Sequence, residues 1–213
     1  MNRLLNPLSI AAISCLFLIC SKNSRTPAVD AGPTSMLLIK AGTYLTENLC
    51  VKMADSSIES DFRQLIAQGA KVDSVDEDSN TALLLLARTT ETRYFPKAAA
   101  LAEILLENKA DVNRKNDREL TALHLACLNG NRPLAELLLA NGADIHALDG
   151  SACTPVVYAV TGGGHAEIVE LLSEHHADLS WKDPVDSMSL LEIAEKRGYA
   201  ETAEFLKAGM KSK

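Results

Sequence analysis

Apolar residues recur along most of the chain in two alternating phrases. The first opens with Thr or Ser followed by an apolar run, and its copies begin at Thr81, Thr121, Thr154 and Ser189. The second reads GAKVD, KADVN, GADIH and HADLS, with copies that begin at Gly69, Lys109, Gly142 and His176. An apolar pair at helical spacing stands before each second phrase. This alternation predicts pairs of short amphipathic helices that repeat every 33 to 40 residues.

The residues at the ends of these phrases are typical of helix caps. A Thr or Ser before an apolar run can accept a hydrogen bond from the first free N–H groups of a helix. Pro155 lies in a first helical turn, where its missing N–H leaves no bond unmade. Gly69 and Gly142 follow second helices and suit a left-handed C-terminal cap. One helix pair cannot bury both of its apolar faces, so the copies are expected to stack.

These residues resemble the ankyrin repeat family, whose motif of about 33 residues reads D-x-x-G-x-T-P-L-H-x-A-x-x-x-G-H-x-x-I-V-x-L-L-x-x-G-A-D-V-N. Residues 121–145 match it nearly in full, and the phrases TP at Thr154 and GH at Gly164 match as well. The resemblance covers residues 46–210. It implies an all-α solenoid of about five helix-turn-helix units with projecting hairpin loops. The units are placed near residues 46–78, 79–118, 119–151, 152–186 and 187–210.

Three departures from the motif interrupt the spacing. About seven extra residues lie around Arg88–Lys97, one extra Gly precedes His165, and the hairpin WKDPVDSM is one residue longer than the others. Insertions in repeat proteins fall in loops and often mark the binding face. For the single-residue insertions, tolerated surface variation is the favoured interpretation.

The N-terminal segment has the pattern of an export signal over residues 1–20. Arg3 is followed by an uncharged apolar run from Leu8 to Cys20, which is too short to span a bilayer. Cys20 ends this run and resembles the acylated Cys of bacterial lipoproteins, although Ile19 is larger than that motif prefers. Cleavage after Ser21 or Ala28 is the alternative. Residues 21–45 carry Pro, Gly and small polar residues and are interpreted as a flexible tether.

The net charge, the aromatic content and the number of cysteines exclude several classes of protein. The net charge of −7 argues against a nucleic-acid binder and against a polybasic membrane-surface protein. Aromatic residues make up only 4%, which favours closely packed helices over a sheet sandwich. Five cysteines, two of them in the signal, do not form a disulfide framework, and a single bridge among Cys50, Cys127 and Cys153 is left open.

Motifs for chemistry are missing from the sequence. The five histidines have no partner at metal-ligand spacing, and there is no GxSxG, HExxH or P-loop pattern. We therefore predict a protein that is not an enzyme, with no cofactor and no metal ion.

The resemblance implies a protein partner, bound by variable side chains on the concave side of the solenoid. The main hypothesis is an exported, lipid-anchored bacterial protein, monomeric, that binds another protein in the periplasm or at the cell envelope. A secreted effector that binds a host protein, or a docking factor for an envelope enzyme, is the alternative. The candidate partner-binding residues lie on hairpins, first helices and the insertion: Arg88, Tyr94, Phe95, Arg114, Lys115, Arg118, Asn129, Leu148, Asp149, Trp181 and Lys182.

Overall fold

The computed structural model describes residues 57–185 and 187–211. The predicted signal (1–20), the tether (21–45) and the lipidation site Cys20 lie outside these residues. The helices are α1 (Ser57–Ala67), α2 (Ala82–Ala87), α3 (Phe95–Glu107), α4 (Ala122–Leu128), α5 (Arg132–Ala140), α6 (Pro155–Gly163), α7 (Ala166–Glu174), α8 (Leu190–Arg197) and α9 (Ala200–Lys211), with a 3-10 turn at Thr92–Tyr94.

The helices form two layers. Helices α2, α4, α6 and α8 contact one another in sequence and form an inner layer, while α1, α3, α5, α7 and α9 do the same in an outer layer. Each inner helix also packs on the outer helix that follows it. Within the described residues the only β-type pairings are isolated bridges at the bases of two hairpins. The predicted all-α solenoid of helix-turn-helix units is confirmed.

The core is continuous from the first to the last described unit. It is built from Leu, Ile, Val and Ala, with Phe62 and Phe95 as its buried phenylalanines. Ala126, Ala159 and Ala194 have no exposed surface on the inner helices, where a side chain of one carbon lets neighbouring helices approach closely. The low aromatic content therefore follows from repeated use of the same small and aliphatic positions.

Helix caps follow the predicted positions, with one exception. The hydroxyl of Thr81 accepts a hydrogen bond from Leu84 N–H, and Ser189 and Glu192 form a reciprocal capping box. The Thr121 N–H and hydroxyl both lie within hydrogen-bond distance of His124 Nδ1, at 3.2 and 2.9 Å. The expected hydroxyl cap at Thr154 is wrong: its hydroxyl is buried without a hydrogen-bond partner. The equivalent of His124 is Val157 here, and its N–H donates to the Thr154 carbonyl instead.

Two matched substitutions test this difference between caps. Thr121→Val is expected to lower the free energy of unfolding by about 1–2 kcal/mol, because it removes a buried hydroxyl that binds His124. Thr154→Val replaces an unpartnered hydroxyl by a methyl group and is expected to change stability by less than about 0.5 kcal/mol, or to raise it. Both variants keep a β-branched side chain, so backbone preference is matched. Urea unfolding measures both, and equal losses would contradict the assignment.

Hairpins between the helix pairs share one construction. Each hairpin contains a tight turn that begins at Asp76, Asn116, Asp149 or Asp183, and the backbone N–H of that residue donates to a carbonyl four or five residues later. A side-chain oxygen of the same residue accepts the N–H two residues on. The acidic or amide side chain thus holds each hairpin in a fixed shape.

Two of the three insertions extend helices. In the longest one, residues 92–97 form the 3-10 turn and the first turn of α3, which reaches 13 residues, compared with nine for α5 and α7, while residues 88–91 connect α2 to this turn. The extra Gly lies at the end of α6, and Gly164 then closes that helix with a φ of +64°. Gly69 and Gly142 adopt the predicted left-handed conformation, with φ of +91° and +83°.

Candidate functional site

The predicted partner-binding residues do not form one surface. Each inner helix begins at a hairpin and runs away from it, so its C-terminal end lies about 10 Å from its start. Seven of the residues lie at the hairpin edge: Arg114, Lys115, Arg118, Leu148, Asp149, Trp181 and Lys182. Four lie at the opposite edge, where inner helices end: Arg88, Tyr94, Phe95 and Asn129.

The hairpin edge carries both exposed cations and exposed apolar side chains. Arg114, Arg118 and Lys182 are exposed, and 48% of the Leu148 surface is accessible. Val185, which the sequence analysis did not single out, is 91% exposed. The extra residue in the hairpin WKDPVDSM could have indicated it, because a longer hairpin projects further. We call Arg114, Arg118, Leu148, Lys182 and Val185 the hairpin face.

Neighbouring hairpins are joined by direct contacts. Lys115 Nζ donates to the Leu148 carbonyl at 2.7 Å and lies 3.6 Å from the Glu119 carboxylate, so this cation links two hairpins. The Gly150 N–H donates to the Arg118 carbonyl at 3.2 Å. These bonds hold the second and third hairpins side by side.

Asp149 was expected to be exposed, and this expectation is wrong. Its residue surface is 7% exposed, and its carboxylate accepts hydrogen bonds from Ser151 N–H, Cys153 N–H and the Tyr158 hydroxyl at 2.9, 2.7 and 2.6 Å. Burial raises the pKa of this carboxyl, but the hydrogen bonds outweigh it and hold the pKa below its ordinary value. The Asp149 side chain therefore stabilises its hairpin through these internal hydrogen bonds.

The predicted aromatic residues serve mainly as packing. Phe95 was expected to be exposed, which is wrong: it is 7% exposed and belongs to the core at the start of α3. Tyr94 is half-buried with the Arg93 guanidinium 4.8 Å from its ring centroid. Trp181 is half-buried and packs against the core.

At the opposite edge, polar side chains tie each unit to the preceding inner helix. Asn129 Nδ2 donates to the Ala87 carbonyl at 3.1 Å, and Arg197 donates to the Thr161 carbonyl at 2.5 Å. His165 Nε2 lies 3.2 Å from the Leu128 carbonyl. These side chains satisfy carbonyls at helix C-termini. Asn129 is thus structural, and Arg88 is the one exposed candidate from the sequence analysis at this edge.

His124 lies at the centre of a buried polar cluster behind the hairpins. Its Nδ1 accepts from Thr121 N–H, which leaves the proton on Nε2 to donate to the Cys153 carbonyl at 3.1 Å. Burial lowers the pKa of His124 and favours this neutral form. The Tyr158 ring meets His124 edge-on at 5.4 Å between centroids, and burial together with the bond to Asp149 raises the pKa of Tyr158.

The cysteines of the described part are not poised for chemistry. Cys127 and Cys153 are free thiols, and burial raises the pKa of both. A raised pKa keeps the sulfur as an unreactive thiol. Across residues 57–185 and 187–211, no three His, Cys, Asp or Glu side chains are grouped to hold a metal ion. None of the helices in these ranges has the length and apolar character needed to cross a membrane.

Comparisons with known proteins agree with the fold. Residues 105–159 match the protein-family model for ankyrin repeats. The chain is similar to the tyrosine-protein kinase HTK16 of Hydra vulgaris (36% identity over 99 residues, 46% of this chain and 13% of that protein). It is also similar to the ankyrin repeat domain-containing protein 63 of Homo sapiens (32% identity over 111 residues, 51% and 29%) and to the B-cell lymphoma 3 protein homolog of Mus musculus (32% over 137 residues, 64% and 30%).

The chain thus spans less than a third of the length of each of these three relatives. One of them is named for its ankyrin repeats, and this repeat fold generally serves protein–protein interaction rather than catalysis. The stacked helix pairs, the capped inner helices and the matched repeat segment lead to one conclusion: the chain belongs to the ankyrin repeat family.

Proposed function

We propose that this chain is a non-catalytic module that binds a partner protein through its hairpin face. The observation that carries the proposal is the contrast between the two edges of the inner layer. At the hairpin edge, cations and the apolar tips of Leu148 and Val185 project into solvent. At the opposite edge, the polar side chains of Asn129, His165 and Arg197 bond to carbonyls of the preceding unit.

The rigidity of the hairpins supports binding. Each hairpin is closed by a backbone hydrogen bond and by the side chain of the residue that begins its tight turn. Lys115 also bridges the second hairpin to the third. Side chains on such hairpins lose little conformational freedom when a partner docks, and this raises affinity. A binding hot spot needs apolar side chains that become buried when the partner docks, with polar groups around them. Leu148 and Val185 can provide these side chains.

The setting that we propose is the bacterial cell envelope, with export directed by residues 1–20 and anchoring through an acyl group on Cys20. This part rests on the sequence pattern alone. Binding and anchoring are separate properties of the chain, since the repeats begin about 26 residues after Cys20. A loss of anchoring therefore leaves the hairpin face intact.

A crosslinking experiment in the producing cells tests whether the hairpin face binds a partner protein. A photo-reactive phenylalanine analogue is placed at Leu148 or Val185, and as a control at Glu170 or Glu204, which are exposed on the outer helices. We expect a discrete crosslinked partner from the first pair and none from the second. Equal crosslinking from the outer helices, or none from the hairpins, would contradict the proposed face.

A second experiment tests the proposed anchor. Cys20→Ala in the same cells is expected to move the protein from the membrane fraction to the soluble fraction, and unchanged fractionation would refute anchoring.

A further inference from the structure

Backbone hydrogen bonds join the first three hairpins to one another. The Asp117 N–H of the second hairpin donates to the Asp78 carbonyl of the first at 3.3 Å. The Gly150 N–H of the third hairpin donates to the Arg118 carbonyl of the second at 3.2 Å. Each donor directly follows the residue that begins its tight turn, and each acceptor lies two residues after the start of the preceding turn. The same bond therefore recurs at the first two junctions between hairpins.

Two side chains strengthen the junction between the second and third hairpins. Lys115 Nζ donates to the Leu148 carbonyl at 2.7 Å, and His124 Nε2 donates to the Cys153 carbonyl at 3.1 Å. Lys115 directly precedes the residue that begins its tight turn, and His124 is the third residue of α4. Because the repeat places a residue at each of these positions in every unit, the next junction can be compared position by position.

The backbone bond cannot form in the same way between the third and fourth hairpins. Pro184 directly follows Asp183, the residue that begins the fourth tight turn, and proline has no backbone N–H. The acceptor at this junction would be the Ser151 carbonyl, two residues after the start of the third turn. Cys153 Sγ of the same hairpin lies 3.8 Å from that carbonyl oxygen.

The two side-chain donors are also replaced at this third junction. Leu148 occupies the position of Lys115, and Val157 is the third residue of α6, where α4 has His124. Neither a leucine nor a valine side chain can donate a hydrogen bond. Proline, leucine and valine thus stand at all three positions that supply the donors between the second and third hairpins.

The last unit itself stays attached through contacts away from its hairpin tip. Arg197 donates to the Thr161 carbonyl and the Thr202 hydroxyl donates to the Gly164 carbonyl, both at 2.5 Å. Trp181 at the base of the fourth hairpin packs against the core. The loss of the three donors therefore acts on the hairpin and leaves the helices of its unit in place.

From this comparison we propose that the first three hairpins open as one cooperative unit, whereas the fourth hairpin opens and rearranges on its own. A segment with fewer bonds to its neighbours opens at a lower free energy than the rest of the fold. Within the hairpin face, Leu148 then belongs to a fixed part and Val185 to an adjustable part. A partner that contacts both parts fixes the adjustable one when it binds. This motion is a property of the free protein and does not depend on the proposed function.

Amide hydrogen exchange of the full chain, followed by NMR, tests the separation. The backbone N–H groups of Asn116, Asp149 and Asp183 each donate to a carbonyl across their own hairpin, so they report the same bond in three hairpins. After correction for intrinsic rates, we expect the Asp183 N–H to exchange at least about tenfold faster than the other two. Equal exchange at the three positions would overturn the proposal.

A loss variant gives the second junction the residue types of the third. Gly150→Pro combined with Lys115→Met is expected to speed exchange of the Asp149 N–H about tenfold. The matched control, Gly150→Ala combined with Lys115→Arg, keeps both donors, and a Cβ at position 150 would lie 3.5 Å from the Arg118 carbonyl oxygen, an ordinary contact. We expect the control to change the rate less than about twofold. Equal changes in the two variants would overturn the proposal.

A gain variant provides a readout that needs no destabilised protein. Pro184→Ala combined with Leu148→Lys restores a backbone donor and a side-chain donor at the third junction. It is expected to slow exchange of the Asp183 N–H at least about fivefold. Leu148→Met, which restores neither donor, is the control and is expected to stay within about twofold of the unsubstituted protein. An unchanged rate in the gain variant would overturn the proposal.

Discussion

Replacing Asp149 by Ala is expected to lower the free energy of unfolding by about 2–4 kcal/mol. The substitution leaves the Ser151 and Cys153 N–H groups and the Tyr158 hydroxyl without their acceptor in a hairpin where Asp149 is 7% exposed. The loss also reaches the core, because the Tyr158 ring packs against His124. Urea unfolding measures the difference against the unsubstituted protein.

Asp149→Asn is the matched control. Asn116 occupies the same position in the second hairpin, where its Oδ1 accepts the N–H groups of Arg118 and Leu120. An amide therefore suffices for the hairpin, and only the charge-assisted bond to Tyr158 is weakened. We expect Asp149→Asn to cost about 1 kcal/mol. Equal losses for Ala and Asn would mean that the charge, and not the hairpin geometry, determines stability.

The pKa of Asp149 adds a second readout of the same contact. Its folded-state pKa is held below the ordinary value of 3.8 by the Tyr158 and backbone hydrogen bonds, which outweigh desolvation. A depressed pKa means that the stabilisation is fully present above about pH 4 and is lost as the pH falls through the folded-state pKa. The stability gap between the unsubstituted protein and Asp149→Ala should therefore narrow below pH 4. A gap that is unchanged at low pH would contradict this assignment.

The helical pairs could be predicted from the sequence because the signals that specify them are local. A Thr or Ser before an apolar run, with a small residue at fixed spacing, specifies where an inner helix begins without reference to the rest of the fold. The starts of α2, α4, α6 and α8 follow from this pattern. The hydroxyl cap predicted at Thr154 is absent because the Val157 N–H donates to the Thr154 carbonyl and not to its hydroxyl, a difference in local geometry that the sequence pattern does not contain.

The binding residues could be predicted less completely because exposure depends on contacts between units. Asp149 is buried because Tyr158 reaches back nine residues to its carboxylate, and no local pattern contains that distance. Asn129 is occupied by a carbonyl of the preceding unit, 42 residues away. Val185 was missed because its exposure comes from a single added residue in one hairpin. The cations of the hairpin face were found, since a hairpin tip has few neighbours to cover them.

The division between two edges explains how one chain serves stability and binding together. Polar side chains near the C-terminal ends of the inner helices stabilise the fold, because the last carbonyls of a helix need hydrogen-bond donors from outside it. The exposed side chains of Arg114, Arg118 and Lys182 have no such structural role, so substitutions there are expected to leave the fold intact. Repeat proteins distribute stability over nearest-neighbour interfaces, which leaves the tips free to differ between units.

The second large expected effect is an increase in the free energy of unfolding. It comes from residues other than glycine that have a left-handed backbone conformation. Lys109, Glu119, Ala152 and His176 have φ between +59° and +67°, and the ankyrin motif places Gly at each of these positions. A side chain in this conformation is strained by about 1–2 kcal/mol, and the greater freedom of Gly in the unfolded chain returns part of that. Replacing all four by Gly is expected to raise the free energy of unfolding by about 2–4 kcal/mol in total.

Thermal unfolding gives the measurement, with an expected rise in Tm of about 4–16 °C for a protein of this size. Ala152→Gly alone removes only a methyl group and should contribute about 0.5–1 kcal/mol. Gly142→Ala is the reciprocal control: its φ is +83° and an added Cβ would meet no atom within 4 Å, so only backbone strain changes. It is expected to destabilise by about 1 kcal/mol. A destabilised Ala152→Gly beside an unaffected Gly142→Ala would show that backbone strain does not control stability at these positions.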